Sequence, residues 1–573
     1  MTLPSYTPVH ERLAELESAE RYWLSELKRD PTLDTWLGFH RDDGSLPDIS
    51  LEALQSDVES DRRILRRLQR IDTRRFPFDR RLDVEVGRSY ISNCLAHSTT
   101  PICGRQPCTV TPDAPEEIGD ALLMLLQNDA LSSEHKFESL AGRIKQIPRY
   151  LRQEERRLDA VVPRWRDHQV ACARGLYTFL DQIVQSSYAA AGSGYGKRLE
   201  SAVQRAKPAL DEYVEAVMQK PRTGPIFRGV GFAEEVIGSL GVQMTPGDLY
   251  RMAVDYTDGQ LKRIEEAKNR VCEKRGWSRR TDFREIVSLL RDMTRLPGIE
   301  AVAPLMDTLR RAERYASEQG LPEARGYGVK AIRTPPYSET SLPMGALFIK
   351  GPFESHDTRH LLYLPVNAKD GQISLTSLEL DSLILHEAIP GHAYHLTHTN
   401  GEKFSLTRRL VSALDTQEGF ACMAESMASG FCQGPDRDAP EKKLLELAFM
   451  LRLGPRVCID LYLMTGKEDF LDMGHGFDPR SYRGPLQRAE GLLRHITGFD
   501  RAVAESEVGW YSQCPGYPLS YLVGYQSLCQ MKRDAKRHLG PGYSDSGFFN
   551  AVLEAGNIPT SYVRRTLEHH GFV

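Results

Sequence analysis

Apolar residues recur at intervals of three and four along most of this chain, a spacing that commits it to helices packed through one face. Leu, Ala, Arg, Glu and Gln dominate these stretches, in keeping with helix propensity. The periodicity predicts helices over Glu11 to Leu27, Leu51 to Leu68, Ala114 to Leu131, Leu158 to Ser186, Lys197 to Met218 and Pro246 to Arg275. It continues through Thr281 to Thr294 and Val302 to Gln319. Ala189 to Gly196, AAAGSGYG, reads as a flexible joint between two helices. Thr223 to Gly241 is Gly-rich and less regular. Near Gly326 the pattern changes. Between Tyr327 and Val366, pieces such as GALFIKG and HLLYLPV alternate with Pro and Gly and predict two to four short strands. Helical spacing resumes at Leu375 and runs to the C-terminus. The expected fold class is mainly α with a small sheet, in a helical part over 1–325 and a second part over 326–573.

Composition removes several function classes. The 573 residues include 74 Lys+Arg and 78 Asp+Glu, a net charge of -4. Nucleic acid or an anionic membrane surface would require a basic excess, so neither is expected as a partner. The arginine-rich run Arg62 to Arg81 reads as a solvated helix face. No run approaches the about 18 apolar residues of a transmembrane helix. The N-terminal stretch MTLPSYTPVHERLAELESAERYW lacks the basic-then-apolar order of a signal peptide. Ten cysteines are scattered without a CxxC pair, which favours reduced thiols in a cytoplasmic protein and disfavours a Cys-rich zinc site.

Histidine is unevenly placed. Six of 16 histidines fall between His356 and His398: His356, His360, His386, His392, His395 and His398. Imidazole is the commonest metal ligand, so this density marks a candidate metal site. Its centre is LILHEAIPGHAYHLTH, Leu383 to His398. Leu380, Leu383 and Ile384 supply the buried side of a helix that ends on His386-Glu387, with a capping box expected at Thr376 and Glu379. A buried His-Glu pair is costly unless both groups have partners. In the pattern H-E-x-x-H, two histidines at i and i+4 share a face and bind zinc, and the Glu is the general base. Here the second histidine stands at i+6. Six residues of regular helix rotate by about 600°, which leaves the two imidazoles about 120° apart. Pro390-Gly391 lies between them, and a wide turn over Ile389 to Gly391 would bring His386 and His392 together. The competing reading is three surface histidines, His392, His395 and His398, on a following helix.

Two later segments bear on the choice. Glu418 to Glu425 reads EGFACMAE, where heptad spacing puts two carboxylates on one helix face, with Asp415 a turn earlier. Small residues around them permit close approach of another helix. A third ligand roughly 20 to 30 residues after a histidine pair is the gluzincin arrangement. An exposed, salt-bridged helix is the alternative. Cys514 to Leu528 reads CPGYPLSYLVGYQSL, with Tyr521 and Tyr525 at i and i+4. A phenol donates to an oxyanion without adding charge, although core tyrosines have the same spacing.

Together these segments resemble the bacterial domain-of-unknown-function family 885, grouped with zincin-like metallopeptidases. Its pattern is H-E-x-x-P-G-H, then E-G-W-A-x-Y-x-E, then P-G-Q-A-x-S-Y-x-x-G, with a closing G-x-x-P. This chain has HEAIPGH at His386 to His392, EGFACMAE at Glu418 to Glu425, PGYPLSYLVG at Pro515 to Gly524 and FFNAVLEAGNIP at Phe548 to Pro559. It departs at Ala393, where the family often has a second His, at Phe420 for Trp, and at Tyr517 and Pro518 for Gln and Ala. The resemblance implies zinc ligands at His386, His392 and Glu418 with Glu387 as base, and all four are present. It also implies a two-lobed, zincin-like helical fold, with the sheet beside the active-site helix and a deep cleft. On that basis the expected activity is a zinc-dependent peptidase acting on short peptides or small amides. Tyr521 or Tyr525 would stabilise the oxyanion, Asp415 and Glu425 would orient the imidazoles, and His395 and Arg333 would contact substrate. Two other classes remain: a 2-His-1-carboxylate iron enzyme, and a non-catalytic helical binding protein that retains the motif.

Overall fold

A computed structural model describes residues 9–191, 193–296, 302–339, 346–364, 376–425 and 439–573. The fold is mainly helical with one small mixed sheet. Most predicted helices are present with shifted ends. Helix Pro246–Arg275 starts at a Thr245–Asp248 capping box and stops at Gly276, whose left-handed backbone (φ 70°) suits glycine. The helix predicted from Leu158 starts at Pro163 instead, because proline is preorganised for a first turn. Helix Val230–Ser239 forms inside the Gly-rich stretch, where Phe232, Ala233, Val236 and Ile237 supply a buried stripe. The arginine run is not one helix face. It covers the end of helix Leu51–Arg70, a linker, and the start of helix Phe78–Thr99, where Arg80 pairs with Asp83 at 2.8 Å and Glu20 at 3.2 Å.

The sheet comprises β1 (Val329–Arg333), β2 (Ala346–Phe348) and β3 (His360–Leu364), in the order β1-β3-β2. β3 runs parallel to β1, with Val329 opposite His360, and antiparallel to β2. Side chains alternate across a strand, and here both faces are used. Leu362 and Leu364 enter a core shared with Ile384, Leu385 and Phe420. Leu361 and Tyr363 enter another, shared with Ile118, Leu122 and Phe179. The sheet is therefore a wedge between the long N-terminal helices and the histidine-bearing segment. His360, fully buried in β3, places Nε2 2.8 Å from Thr397 Oγ1 and ties the strand to that segment. The first of these cores draws on residues as distant as Leu16 and Leu567.

The segment between β2 and β3 docks on helix Pro31–Leu37. Trp36 Nε1 donates to the Ile349 carbonyl at 2.9 Å, and a Cβ at Gly351 would lie 1.7 Å from the Trp36 carbonyl oxygen. Beside this contact His40 sits between Asp43 and Glu354, each 3.0 Å away. Burial opposes protonation there, but the two carboxylates prevail and hold the imidazole up at about 10. Among the described residues no helix is long and apolar enough to cross a membrane. The nine described cysteines are free thiols, and Cys432 lies outside the described residues.

Candidate metal centre

The first histidine ends helix Leu380–Glu387, whose Leu380, Ile384 and Leu385 are buried. Thr376 and Glu379 do not form a capping box. Thr376 Oγ1 donates to Glu379 Oε2 at 2.9 Å, and the Glu379 amide donates to the Thr376 carbonyl, which makes a turn just outside the helix. At the other end the amides of Ala388 and Ile389 both donate to the Ile384 carbonyl, at 2.9 and 3.2 Å. The chain then turns through Pro390 and Gly391 and restarts as helix His392–Thr399. A Cβ at Gly391 would lie 1.8 Å from the His386 carbonyl oxygen, so this turn requires glycine. The break removes the separation that a continuous helix would impose. The rings of His386 and His392 meet edge to face, with centroids 4.8 Å apart and planes at 89°.

The third donor comes from helix Leu414–Glu425, in which every residue from Asp415 to Glu425 is buried. It packs against helix Tyr517–Leu539 through two glycines. A Cβ at Gly419 would lie 2.3 Å from the Gly524 carbonyl carbon, and one at Gly524 would lie 1.7 Å from the Asp415 carbonyl oxygen. The small residues thus serve backbone-to-backbone contact, and this contact sets the depth of Glu418.

Glu418 Oε2 lies 3.5 Å from His386 Nε2 and 3.4 Å from His392 Nε2. Both separations are long for a charge-assisted hydrogen bond. They match the edge of a tetrahedral zinc site, about 3.3 Å when nitrogen and oxygen ligands stand about 2.0–2.1 Å from the metal. Glu418 Oε2 is buried without a hydrogen-bond partner, whereas buried carboxylate oxygens are ordinarily paired. His386 Nδ1 lies 2.8 Å from Glu425 Oε1. A carboxylate only accepts, so the ring proton sits on Nδ1 and the Nε2 lone pair is directed toward Glu418. The three residues fit a divalent metal. Burial alone would raise the Glu418 carboxyl, but the two imidazoles hold it well below the usual carboxylate range. Glu387, adjacent and partly exposed, moves the other way: burial raises its carboxyl, and His386 and His392 offset that only in part. A carboxylate of raised basicity beside a candidate metal-binding triad is suited to taking a proton.

The other expected site residues divide: one lies where its expected role requires, and others do not. Glu425 orients His386. Asp415 does not orient an imidazole: its Oδ2 accepts from the Thr560 amide at 2.8 Å and hydroxyl at 2.7 Å, which ties the Glu418 helix to the C-terminal helix Thr560–His569. His392 Nδ1 has no hydrogen-bond partner among the described residues. His395 is fully buried and stacks on Phe420, with centroids 4.6 Å apart. Arg333 ends β1, largely exposed, 3.3 Å from Glu339. Tyr521 lies beneath the Arg456 guanidinium, 4.5 Å from its ring centroid, and Tyr525 packs between two cores.

The phenol that touches the triad is Tyr517, which donates to Glu418 Oε1 at 2.6 Å. Its position was readable as i−4 from Tyr521, but as a departure from the family pattern it carried no role. Asp460 was also missed. Its carboxylate accepts from the amides of Gly516 and Leu519, at 3.0 and 3.1 Å, and so anchors the turn that delivers Tyr517. No local motif marks it, since its partners are backbone amides more than 50 residues away.

The chain belongs to the family described as bacterial protein of unknown function (DUF885), whose profile matches residues 31–567. Its fold is similar to that of a Colwellia psychrerythraea protein named as a putative lipoprotein, with a TM-score of 0.73 and 15% identity over 97% of this chain and 99% of the other. A second relative in structure is a putative lipoprotein of unknown function from Shewanella oneidensis, with a TM-score of 0.68 and 16% identity over the same shares. No curated protein matches the chain.

Proposed function

We propose that this chain is a zinc-dependent hydrolase of short peptides or related small amides, acting in the cytoplasm. One observation carries the reading: His386 Nε2 and His392 Nε2 converge on the buried Glu418 Oε2, which has no hydrogen-bond partner, with the Glu387 carboxylate next in sequence to His386. Zinc held there supplies a Lewis acid and lowers the pKa of a water toward about 7. Glu387 takes the proton from the attacking water and returns it to the leaving amine, so its carboxylate ends as it began. Tyr521 is assigned to the developing oxyanion. Glu418 lies near enough to add to the burial that raises its phenol, and a neutral phenol donates without charge. Glu425 and Tyr517 hold the first and third ligands in register. The N-terminal helices form a lobe over the centre and restrict the cleft to short substrates.

The test is Glu387→Gln, read by zinc content and by digestion of a peptide library. Zinc should stay at one equivalent in this centre while hydrolysis falls by about 10²–10⁴-fold. Undiminished hydrolysis would remove Glu387 as base. Iron in place of zinc in the purified chain would favour the oxygenase-type reading of the same ligand set.

A further inference from the structure

We propose that Glu116, His168 and Cys172 form a second divalent-metal site, remote in sequence from the first and suited to zinc or cobalt(II). His168 and Cys172 stand at i and i+4 on helix Pro163–Ala191 and share a face. Glu116 lies in the first turn of helix Ala114–Leu126. His168 Nε2 is 3.1 Å from Glu116 Oε2 and 3.5 Å from Cys172 Sγ, and the three donor atoms lie within 4.8 Å of one another. A tetrahedral centre with zinc–nitrogen and zinc–oxygen distances of about 2.0–2.1 Å and a zinc–sulfur distance of about 2.3 Å needs edges of about 3.3 and 3.6 Å.

The geometry separates this reading from a nucleophilic Cys-His-Glu relay. In a relay the imidazole uses one ring nitrogen for the nucleophile and the other for the carboxylate. Here the same Nε2 faces both, so three donors point at one locus. The surroundings are those of a ligand set held in place. Gln169 accepts from the Glu116 backbone amide at 3.3 Å and donates to the Glu116 carboxylate at Oε2 at 3.2 Å, so one side chain holds both the backbone and the carboxylate of this residue. Cys172 is fully buried, while the His168 and Glu116 side chains keep 17% and 31% of their exposure and leave a route in from solvent. One imidazole, one thiolate and one carboxylate is a borderline-soft set that suits zinc and cobalt(II), with a fourth position left for water. On binding, the Cys172 thiol proton leaves to solvent.

The consequence is a clamp. The metal would join the starts of two long helices. One of them carries Trp165, whose Nε1 donates to Ser512 Oγ at 2.8 Å, five residues before Tyr517. The site thus braces the approach to the first centre without belonging to it.

The test uses the full-length chain carrying His392→Ala, so that its outcome does not depend on the first centre. Metal-free protein is titrated with cobalt(II) chloride, and bound zinc is counted separately by mass spectrometry. One equivalent should bind, with a near-ultraviolet thiolate-to-cobalt charge-transfer band. Adding Cys172→Ser should abolish the band, and adding Cys422→Ser should leave it. His168→Gln, made in the unmutated chain, should remove one zinc equivalent and spare the other, which covers the case in which the combined variant fails to fold. No bound metal in the His392→Ala chain, or a band lost with Cys422→Ser and kept with Cys172→Ser, overturns the site. Loss of hydrolysis in Glu387→Gln bears on the first centre alone, so the two readings fail separately.

Discussion

The Tyr517 hydroxyl donates to Glu418 Oε1 at 2.6 Å, and this contact leaves Oε2 as the oxygen turned toward His386 and His392. On the proposed reading, the carboxylate would thus present one oxygen, already oriented, to a metal. Tyr517→Phe removes the donor and keeps the ring against Trp510 and Tyr521, so the fold should persist. Zinc affinity, measured by competition with a chelator, should fall by about 10–100-fold, the usual cost of losing a partner of a metal ligand. An unchanged affinity would show that packing alone orients Glu418.

Glu425 plays the matching part for His386. Glu425→Ala frees the ring to rotate and its proton to move to Nε2, where it would block the lone pair aimed at Glu418. Affinity for zinc should again drop by about 10–100-fold. Glu425→Gln keeps an oxygen acceptor and should lose less. Equal losses in the two variants would point to charge rather than ring orientation.

The Gly419–Gly524 contact makes a prediction about stability. Gly524→Ala puts a methyl 1.7 Å from the Asp415 carbonyl oxygen, where backbone and not a flexible side chain must yield. Overpacking of this kind costs about 1–3 kcal/mol, and Asp415 and Glu418 share the helix that must shift. Urea denaturation should show the loss. Zinc affinity should fall with it, although residue 524 is not a donor.

His40 gives the fold a pH dependence independent of any metal. Its imidazolium is favoured in the folded state by Asp43 and Glu354, against burial, with the folded value near 10 and the ordinary imidazole value at 6.5. A raised pKa contributes stability that is complete below about 6.5 and lost as pH rises toward 10. His40→Gln should therefore lower the melting temperature most at pH 6, and the gap from the unmutated chain should close by pH 10. A gap that is constant across this range would mean that His40 is neutral in the fold.

Much of this molecule was readable from spacing. Apolar residues at three and four specified helices because a helix turns every 3.6 residues, and the short apolar run in HLLYLPV, closed by proline, specified a strand buried on both faces. The meeting of His386 with His392 was one of two readings that the spacing allowed, because Pro390-Gly391 disfavours a continued helix while three surface histidines on the next helix fit the same pattern. What stayed hidden was whatever depends on which distant surfaces meet. Asp415 and Glu425, three residues before and seven after Glu418, share its side of the helix by spacing, yet one meets Thr560 and the other meets His386. Tyr517, Tyr521 and Tyr525 follow one another at single turns, and the crossing at Gly524 decides that Tyr517 reaches the carboxylate. The sequence alone determined the elements and the donor chemistry, since both follow from local backbone preference and residue type. The tertiary structure alone decided which donors converge and which way each lone pair points, because helix contact geometry is a long-range property that no short stretch of chain encodes.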